Sequence, residues 1–188
     1  MAQSYSLAVY SITINTRWKK DEKQVLSDFN NGQDFLQYID TMMSSWKQNL
    51  NRGDQYDPVN KYGNEKEGNV FRLSRDHNGD YYLYRRGRYL SGILECGEYG
   101  TEEEGVDIDS GEVVFRKTSK NALLKPFYFM FYIPENSNIG FLILEKIGNN
   151  GIMTVLNNAI IKYYSTTPSD NDYVLKINPL SIDALVEK

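Results

Sequence analysis

Hydrophobic and polar residues alternate along several short segments of the chain, and this period of two is typical of β-strands. Turn residues separate the segments. The Asn78-Gly79 pair, for example, can adopt the positive φ angles of a tight hairpin turn. The predicted strands are YSLAVYSITIN (5–15), VFRLS (70–74), YYLYRR (81–86), residues 88–95, GEVVFRKT (111–118), PFYFMFYIP (126–134), NIGFLILEKIG (138–148) and YVLKINP (173–179).

Two longer segments change to a hydrophobic spacing of three and four, which predicts one apolar face of a helix. The first begins at Asn31 or at Gln33–Asp34, with Asp34 in its first turn, and its apolar face ends at Leu50. The second covers residues 151–164. Their apolar faces consist of Phe35, Leu36, Ile39, Met42, Met43, Trp46 and Leu50, and of Ile152, Val155, Leu156, Ala159, Ile160 and Tyr163.

These elements predict a single α+β domain over residues 1–188, with a mainly antiparallel sheet of about six to eight strands and two principal helices packed on it. Residues 51–69 contain few aliphatic side chains and several glycines, so we expect a mobile loop there. The last eight residues, SIDALVEK, begin as a helix would, with Ser181 as its cap. The domain is therefore expected to be either the N-terminal part of a longer protein or a domain with a short final helix.

Composition narrows the classes of function. The net charge of −4 argues against general binding of polyanions, since such affinity comes mainly from neutralised phosphates. A single cysteine, Cys96, excludes an intrachain disulfide and fits the reducing cytoplasm. The N-terminal residues show no signal-peptide pattern, and the longest apolar run, 127–133, is far too short to span a bilayer. We therefore expect a cytoplasmic protein that does not bind membranes and carries no cofactor.

Residues that could support catalysis are few. The only histidine, His77, lies in the predicted turn RDHNGD, and nothing near it indicates a nucleophile and base. Residues 95–112 contain eight acidic side chains and no lysine or arginine, and we expect an acidic loop there. Asp107, Asp109 and Glu112 could coordinate Ca²⁺ or Mg²⁺ through oxygen ligands, although a solvated turn into the next strand is the alternative. The sequence leaves catalysis open but favours binding.

The segment YYLYRRGRYLSG (81–92) combines tyrosines with three arginines. If it forms one strand without a bulge at Gly87, then Tyr82, Tyr84, Arg86 and Arg88 share a face. Rings beside guanidinium groups can stack on single-stranded nucleic acid. The same face can instead be neutralised by the carboxylates of residues 95–112, or form a protein interface, where tyrosine and arginine are enriched.

Five blocks together cover most of the chain: SLAVYSITINTR, NGQDFLQYI, SGILECGEYGTEEEGVDIDSGEVVFRKT, PFYFMFYIPENSNIGFLILEKIGNNGIMTVL and YVLKINP. These blocks resemble uncharacterised bacterial proteins that are associated with mobile elements and phage defence. The resemblance implies a bacterial cytoplasmic role in phage defence, without assigning an activity or a site.

Three functions follow from these patterns, with the most favoured first. The first is a non-catalytic interaction domain that binds a protein partner or itself through a tyrosine-rich sheet face and the acidic loop of residues 95–112. The second is a nucleic-acid-binding domain that uses Tyr82, Tyr84, Arg86 and Arg88. The third is a divalent-metal-dependent enzyme that uses carboxylates of residues 95–112.

Overall fold

A computed structural model describes residues 4–30, 32–47, 50–52, 68–166 and 172–180. Most of the predicted mobile loop (51–69) and the predicted final helix from Ser181 lie outside these residues. Neither of the described helices is long and apolar enough to cross a membrane.

The described chain contains two helices and twelve strands. The helices are α1 (Phe35–Ser45) and α2 (Met153–Ser165). The strands are β1 (Tyr5–Thr16), β2 (Lys19–Lys23), β3 (Asn51–Arg52), β4 (Gly68–Leu73), β5 (Leu83–Arg86), β6 (Tyr89–Tyr99), β7 (Glu103–Val106), β8 (Val113–Lys117), β9 (Lys125–Tyr132), β10 (Gly140–Ile147), β11 (Asn150–Gly151) and β12 (Tyr173–Pro179).

Ten of these strands form one antiparallel sheet, and the α+β prediction is confirmed. The main path of the sheet is β12-β1-β10-β9-β6-β4-β3, while β2, β5 and β11 pair with β1, β6 and β10. Helix α2 contacts both β12 and β4, which lie near opposite ends of this path. The sheet therefore curls around the helices, so that it has a concave face, which the helices cover, and a convex face on the other side.

The hydrophobic core lies between the helices and the concave face. On β9 the side chains of Phe127, Phe129 and Phe131 point toward the helices and are buried. Helices α1 and α2 meet through aromatic side chains, with 5.3 Å between the ring centroids of Tyr38 and Tyr163. The remaining core includes Ile12, Ile14, Leu36, Ile39, Met42, Met43, Leu90, Leu94, Leu142, Leu144, Val155, Leu156 and Ile160.

Helix α1 is shorter than the hydrophobic spacing predicts. Asp34 is its N-cap, and the side chain accepts a hydrogen bond of 2.8 Å from the N–H of Leu36. The helix ends at Ser45 because the N–H of Trp46 bonds the carbonyl of Met43 in a tighter turn. Trp46 still packs on Phe71 of β4, whereas Leu50 lies beyond the helix and is exposed. The prediction that Leu50 extends the buried face was wrong.

The acidic segment 95–112 is not a loop throughout. Glu95 to Tyr99 continue β6, and residues 103–106 form β7, which pairs with β8. Strand formation is possible because basic residues face the carboxylates across the ladder. Arg72 bonds Glu95 at 2.7 Å, and Lys117 bonds Glu103 at 2.8 Å.

Strands β7 and β8 form a two-stranded ribbon that pairs with no strand of the large sheet. The ribbon continues the β6–β9 hairpin beyond its last paired residues, Cys96 and Lys125. At the base of the ribbon, the N–H of Gly100 donates a hydrogen bond to the carbonyl of Ser119. We call residues 103–117 the arm. The arm projects from the middle strands of the sheet.

Candidate interaction surface

The convex face of the sheet carries large hydrophobic side chains in place of the polar ones expected on a solvated face. Because side chains alternate along a strand, the residues between the buried phenylalanines of β9 point to this face. The register places neighbours from β1, β6 and β10 beside them. The convex cluster consists of Leu7, Val9, Tyr89, Ile93, Tyr128, Met130, Tyr132, Phe141 and Ile143.

Three rings of the convex cluster stack across the three central strands. The rings of Tyr89 and Tyr132 are nearly parallel, with 4.5 Å between their centroids. Phe141 continues the stack at 6.2 Å from Tyr132. Leu7 is 65% exposed, Tyr89 45% and Tyr128 37%, and the other members of the cluster are half-buried, so the cluster is partly open to solvent. An apolar surface of this kind on a folded domain is typical of a binding site.

The predicted row of Tyr82, Tyr84, Arg86 and Arg88 is divided by the structure. Tyr82 and Tyr84 lie on the convex side, and their rings are in edge-to-face contact with 6.5 Å between the centroids. Arg86 is exposed next to the convex cluster. Gly87, at a φ of +55°, forms the turn that ends β5, so the condition of an unbroken strand is not met. Arg88 lies in that turn and is directed away from the row.

Two of the three arginines bind carboxylates, but on helix α1 and not in residues 95–112. Arg88 donates to both oxygens of Asp34, with 3.2 Å between Nη2 and Oδ1, and its Nε donates to the carbonyl of Ile133 at 2.6 Å. Nη1 of Arg85 lies 3.3 Å from Oδ2 of Asp40. Arg86 forms no ion pair with any described residue. These contacts attach the β5–β6 turn to α1.

Asp34 has two roles, as the cap of α1 and as the partner of Arg88. Burial raises the pKa of the Asp34 carboxyl, but the hydrogen bonds from Arg88 and the Leu36 N–H outweigh this effect. The net pKa therefore lies below its ordinary value of 3.8. A lowered pKa in the folded state means that the ionised carboxylate stabilises the fold.

We expect Asp34→Asn to lower the free energy of unfolding at pH 7 by about 1 kcal/mol, since the amide keeps the cap but loses the charged bond to Arg88. The contribution of the carboxylate is present above pH 3.8 and is lost as the pH falls through the lower folded pKa. Urea unfolding at several pH values should show the difference from wild type shrinking in acid. Asp40→Asn, which loses only the longer contact with Arg85, is the control and should cost less. A difference that does not change with pH would contradict this role.

The carboxylates proposed as metal ligands form a turn at the tip of the arm. Asp107 Oδ1 accepts hydrogen bonds from the N–H groups of Asp109 at 3.0 Å and Ser110 at 2.8 Å. These hydrogen bonds lower the pKa of the Asp107 carboxyl, and the bond from the Ser110 N–H has the largest effect. Within the described residues, no three acidic, histidine or cysteine side chains are grouped to hold a metal ion. Asp107, Asp109 and Glu112 therefore do not form the predicted ligand set.

The arm exposes hydrophobic side chains on both of its faces. Ile108 at the tip is 94% exposed and Val114 is 69% exposed, and Val106, Val113 and Phe115 are also open to solvent. An isolated two-stranded hairpin is at best marginally stable in water. Ion pairs of Lys117 with Glu103 and of Arg116 with Glu104 hold the two strands together. The carboxylates of Asp109 and Glu112 remain without ion pairs among the described residues.

Two of the described residues, His77 and Cys96, have side chains of types that are common in catalysis. His77 lies in the exposed turn between Asp76 and Asp80. Cys96 is buried, and burial together with the charge of Glu98 raises the pKa of its thiol to about 11, so the reactive thiolate is scarce at neutral pH.

A cleft of about 240 Å³ opens at the base of the arm, next to Cys96 and Lys117. The Lys117 ammonium is buried and already bonds Thr101 and Glu103, both at 2.8 Å. The cleft therefore presents no unsatisfied charge from this lysine to a ligand.

Sequence reasoning placed the candidate site on residues 81–90 and missed the convex cluster beside it. The signal was present in PFYFMFYIP and GFLIL, which are apolar at nearly every position. Strands of this kind are typical of sheets that are covered on both faces. In the described structure the helices cover only the concave face of the sheet.

In the comparisons made, the chain matches no protein family, no curated protein and no solved structure. The resemblance to proteins of mobile elements and phage defence stays a prediction.

Proposed function

We propose that this chain is a non-catalytic interaction domain that binds protein, and first of all a second copy of itself, through the convex cluster. The observation that carries the proposal is the stack of Tyr89, which is exposed, on the half-buried rings of Tyr132 and Phe141, on the face of the sheet that the described helices do not cover. Interface centres are enriched in such aromatic side chains and depleted of charge. The sequence resemblance supports a role in the bacterial cytoplasm, in phage defence.

Protein is a better fit than nucleic acid for this surface. Binding of single strands combines aromatic stacking with several cations that follow the phosphates. Beside the convex cluster, Arg86 is exposed and has no ion pair among the described residues, whereas Arg85 and Arg88 bind α1 and Arg72 binds Glu95. The net charge of −4 opposes phosphate binding further.

The proposal predicts that two lysines placed on the convex cluster weaken self-association about 100-fold, because burying a charge against apolar side chains costs several kcal/mol. The test is light scattering coupled to gel filtration, over a range of concentrations, of wild type and of Leu7→Lys/Tyr128→Lys. Both side chains are exposed, so the fold should tolerate the change.

Trp18→Lys is the matched control for this experiment. It removes an 88% exposed hydrophobic side chain from the β1–β2 turn, outside the convex cluster, and should leave self-association unchanged. A wild-type chain that stays monomeric at every concentration, or variants that all associate equally, would contradict the proposal.

A further inference from the structure

The arm is a second exposed apolar element, separate from the convex cluster. It pairs with no strand of the large sheet, and its five hydrophobic side chains are open to solvent. Among the described residues, a single copy thus leaves two apolar surfaces without a partner, one convex and one projecting. A second copy offers each surface its complement, and a two-fold axis would make both contacts at once.

The lengths of the two elements are compatible. Seven residues, 101–107, lead from the base of the arm to the turn at its tip and span at most about 23 Å at the rise of a strand. The convex cluster covers the four adjacent strands β1, β10, β9 and β6, whose spacing gives about 15 Å between the outer two. The arm is therefore long enough to lie across the cluster of a neighbouring copy.

Charge supports the same pairing. The tip of the arm carries Asp107, Asp109 and Glu112, of which the last two have no ion pair among the described residues. Arg86 is an exposed cation beside the convex cluster and also has no ion pair there. Within one copy, the arm projects from the ends of β6 and β9 that bear Cys96 and Lys125, whereas Arg86 pairs with Tyr89 at the opposite end of β6.

We propose that the arm of each copy docks on the convex cluster of a second copy, with its acidic tip at Arg86, to form a reciprocal two-fold dimer. This inference rests on the proposed function and adds the identity of the docking segment. It assigns a binding role to the exposed arm and to the acidic residues at its tip.

Charge reversal tests the contact at the tip. Arg86→Glu and Glu112→Arg should each weaken dimerisation about tenfold in light scattering at low salt. The variant that carries both changes should recover wild-type association, because each restored pair forms between copies. Single variants that dimerise as wild type does, or a double variant that is weaker than either single one, would overturn the inference.

Crosslinking between copies tests the geometry without relying on affinity. Chains with Ile108→Cys are mixed with chains with Tyr84→Cys and treated with a short bismaleimide. We expect a crosslinked heterodimer, and none when the Ile108→Cys chain is mixed with Trp18→Cys. Wild type is the blank, since its Cys96 is buried. Crosslinks that join two Ile108→Cys chains alone would indicate arm-to-arm contact and overturn the inference.

The two proposals can fail separately. Ile108→Asp/Val114→Asp alters only exposed arm residues. If it leaves dimerisation intact while Leu7→Lys/Tyr128→Lys abolishes it, the convex cluster binds a second copy without the arm, and only the arm inference is overturned. If wild type never dimerises, both proposals are overturned. If both variants prevent dimerisation, the arm and the cluster act together as proposed.

Discussion

Replacement of Phe129 by alanine is expected to lower the free energy of unfolding by about 3–5 kcal/mol. Phe129 is fully buried on the concave face of β9, and its ring lies 6.0 Å from that of Phe131. Removing the ring would leave a cavity beneath Gly92, between the central strands and the helices. Urea unfolding followed by far-ultraviolet circular dichroism measures the change.

Tyr128→Ala is the control for Phe129→Ala because the two residues are neighbours on opposite faces of β9. Tyr128 is on the convex face and 37% exposed, so its loss should cost about 1 kcal/mol or less in the monomer. Both measurements are made at a concentration too low for association. Similar losses for the two variants would contradict the division of the sheet into a covered and an open face.

Gly92→Ala is expected to lower the free energy of unfolding by about 3 kcal/mol, as overpacking of a well-filled core does. A Cβ atom at position 92 would lie 2.3 Å from the carbonyl oxygen of Tyr82 and 2.9 Å from Cζ of Phe129. The carbonyl belongs to the backbone that leads into β5 and accepts a hydrogen bond from the N–H of Ile93. The substitution must therefore push β5 away from β6.

Displacement of β5 has a local signature that hydrogen exchange can detect. In Gly92→Ala, the N–H of Ile93 should exchange faster relative to the rest of β6, since its bond to Tyr82 is disturbed. Gly105→Ala in the arm is the control, because its Cβ would meet Phe115 at an ordinary contact distance of 3.5 Å. If the two alanine variants are equally stable, the close approach of Tyr82 to Gly92 is not as described.

The positions of most secondary structure elements could be predicted from the sequence. The β9 prediction, 126–134, differs from the observed Lys125–Tyr132 by one or two residues, and the second helix is equally close. Local side-chain periodicity is sufficient for this, because it depends on neighbours along the chain. The acidic residues of β6 and β7 were assigned to a loop because their basic partners, such as Arg72 and Lys117, become adjacent only when strands pair.

The candidate site was predicted in part. The sequence pointed to Tyr82, Tyr84 and Arg86, which lie beside the convex cluster, but not to the cluster itself. It also grouped Arg88 with them, whereas Arg88 binds Asp34, 54 residues earlier in the chain. A contact over that distance depends on how α1 packs on the β5–β6 turn, and no local pattern encodes it.

The amino-acid sequence by itself determined the fold class, most strand and helix positions and the two-sided apolar character of the central strands. Only the tertiary structure decided which side of those strands is covered. Curling of the sheet brings both helices to the concave face and leaves the convex cluster and the arm without partners among the described residues. The reason is physical: alternation along a strand separates its two faces, but the choice of the covered face depends on where distant helices pack.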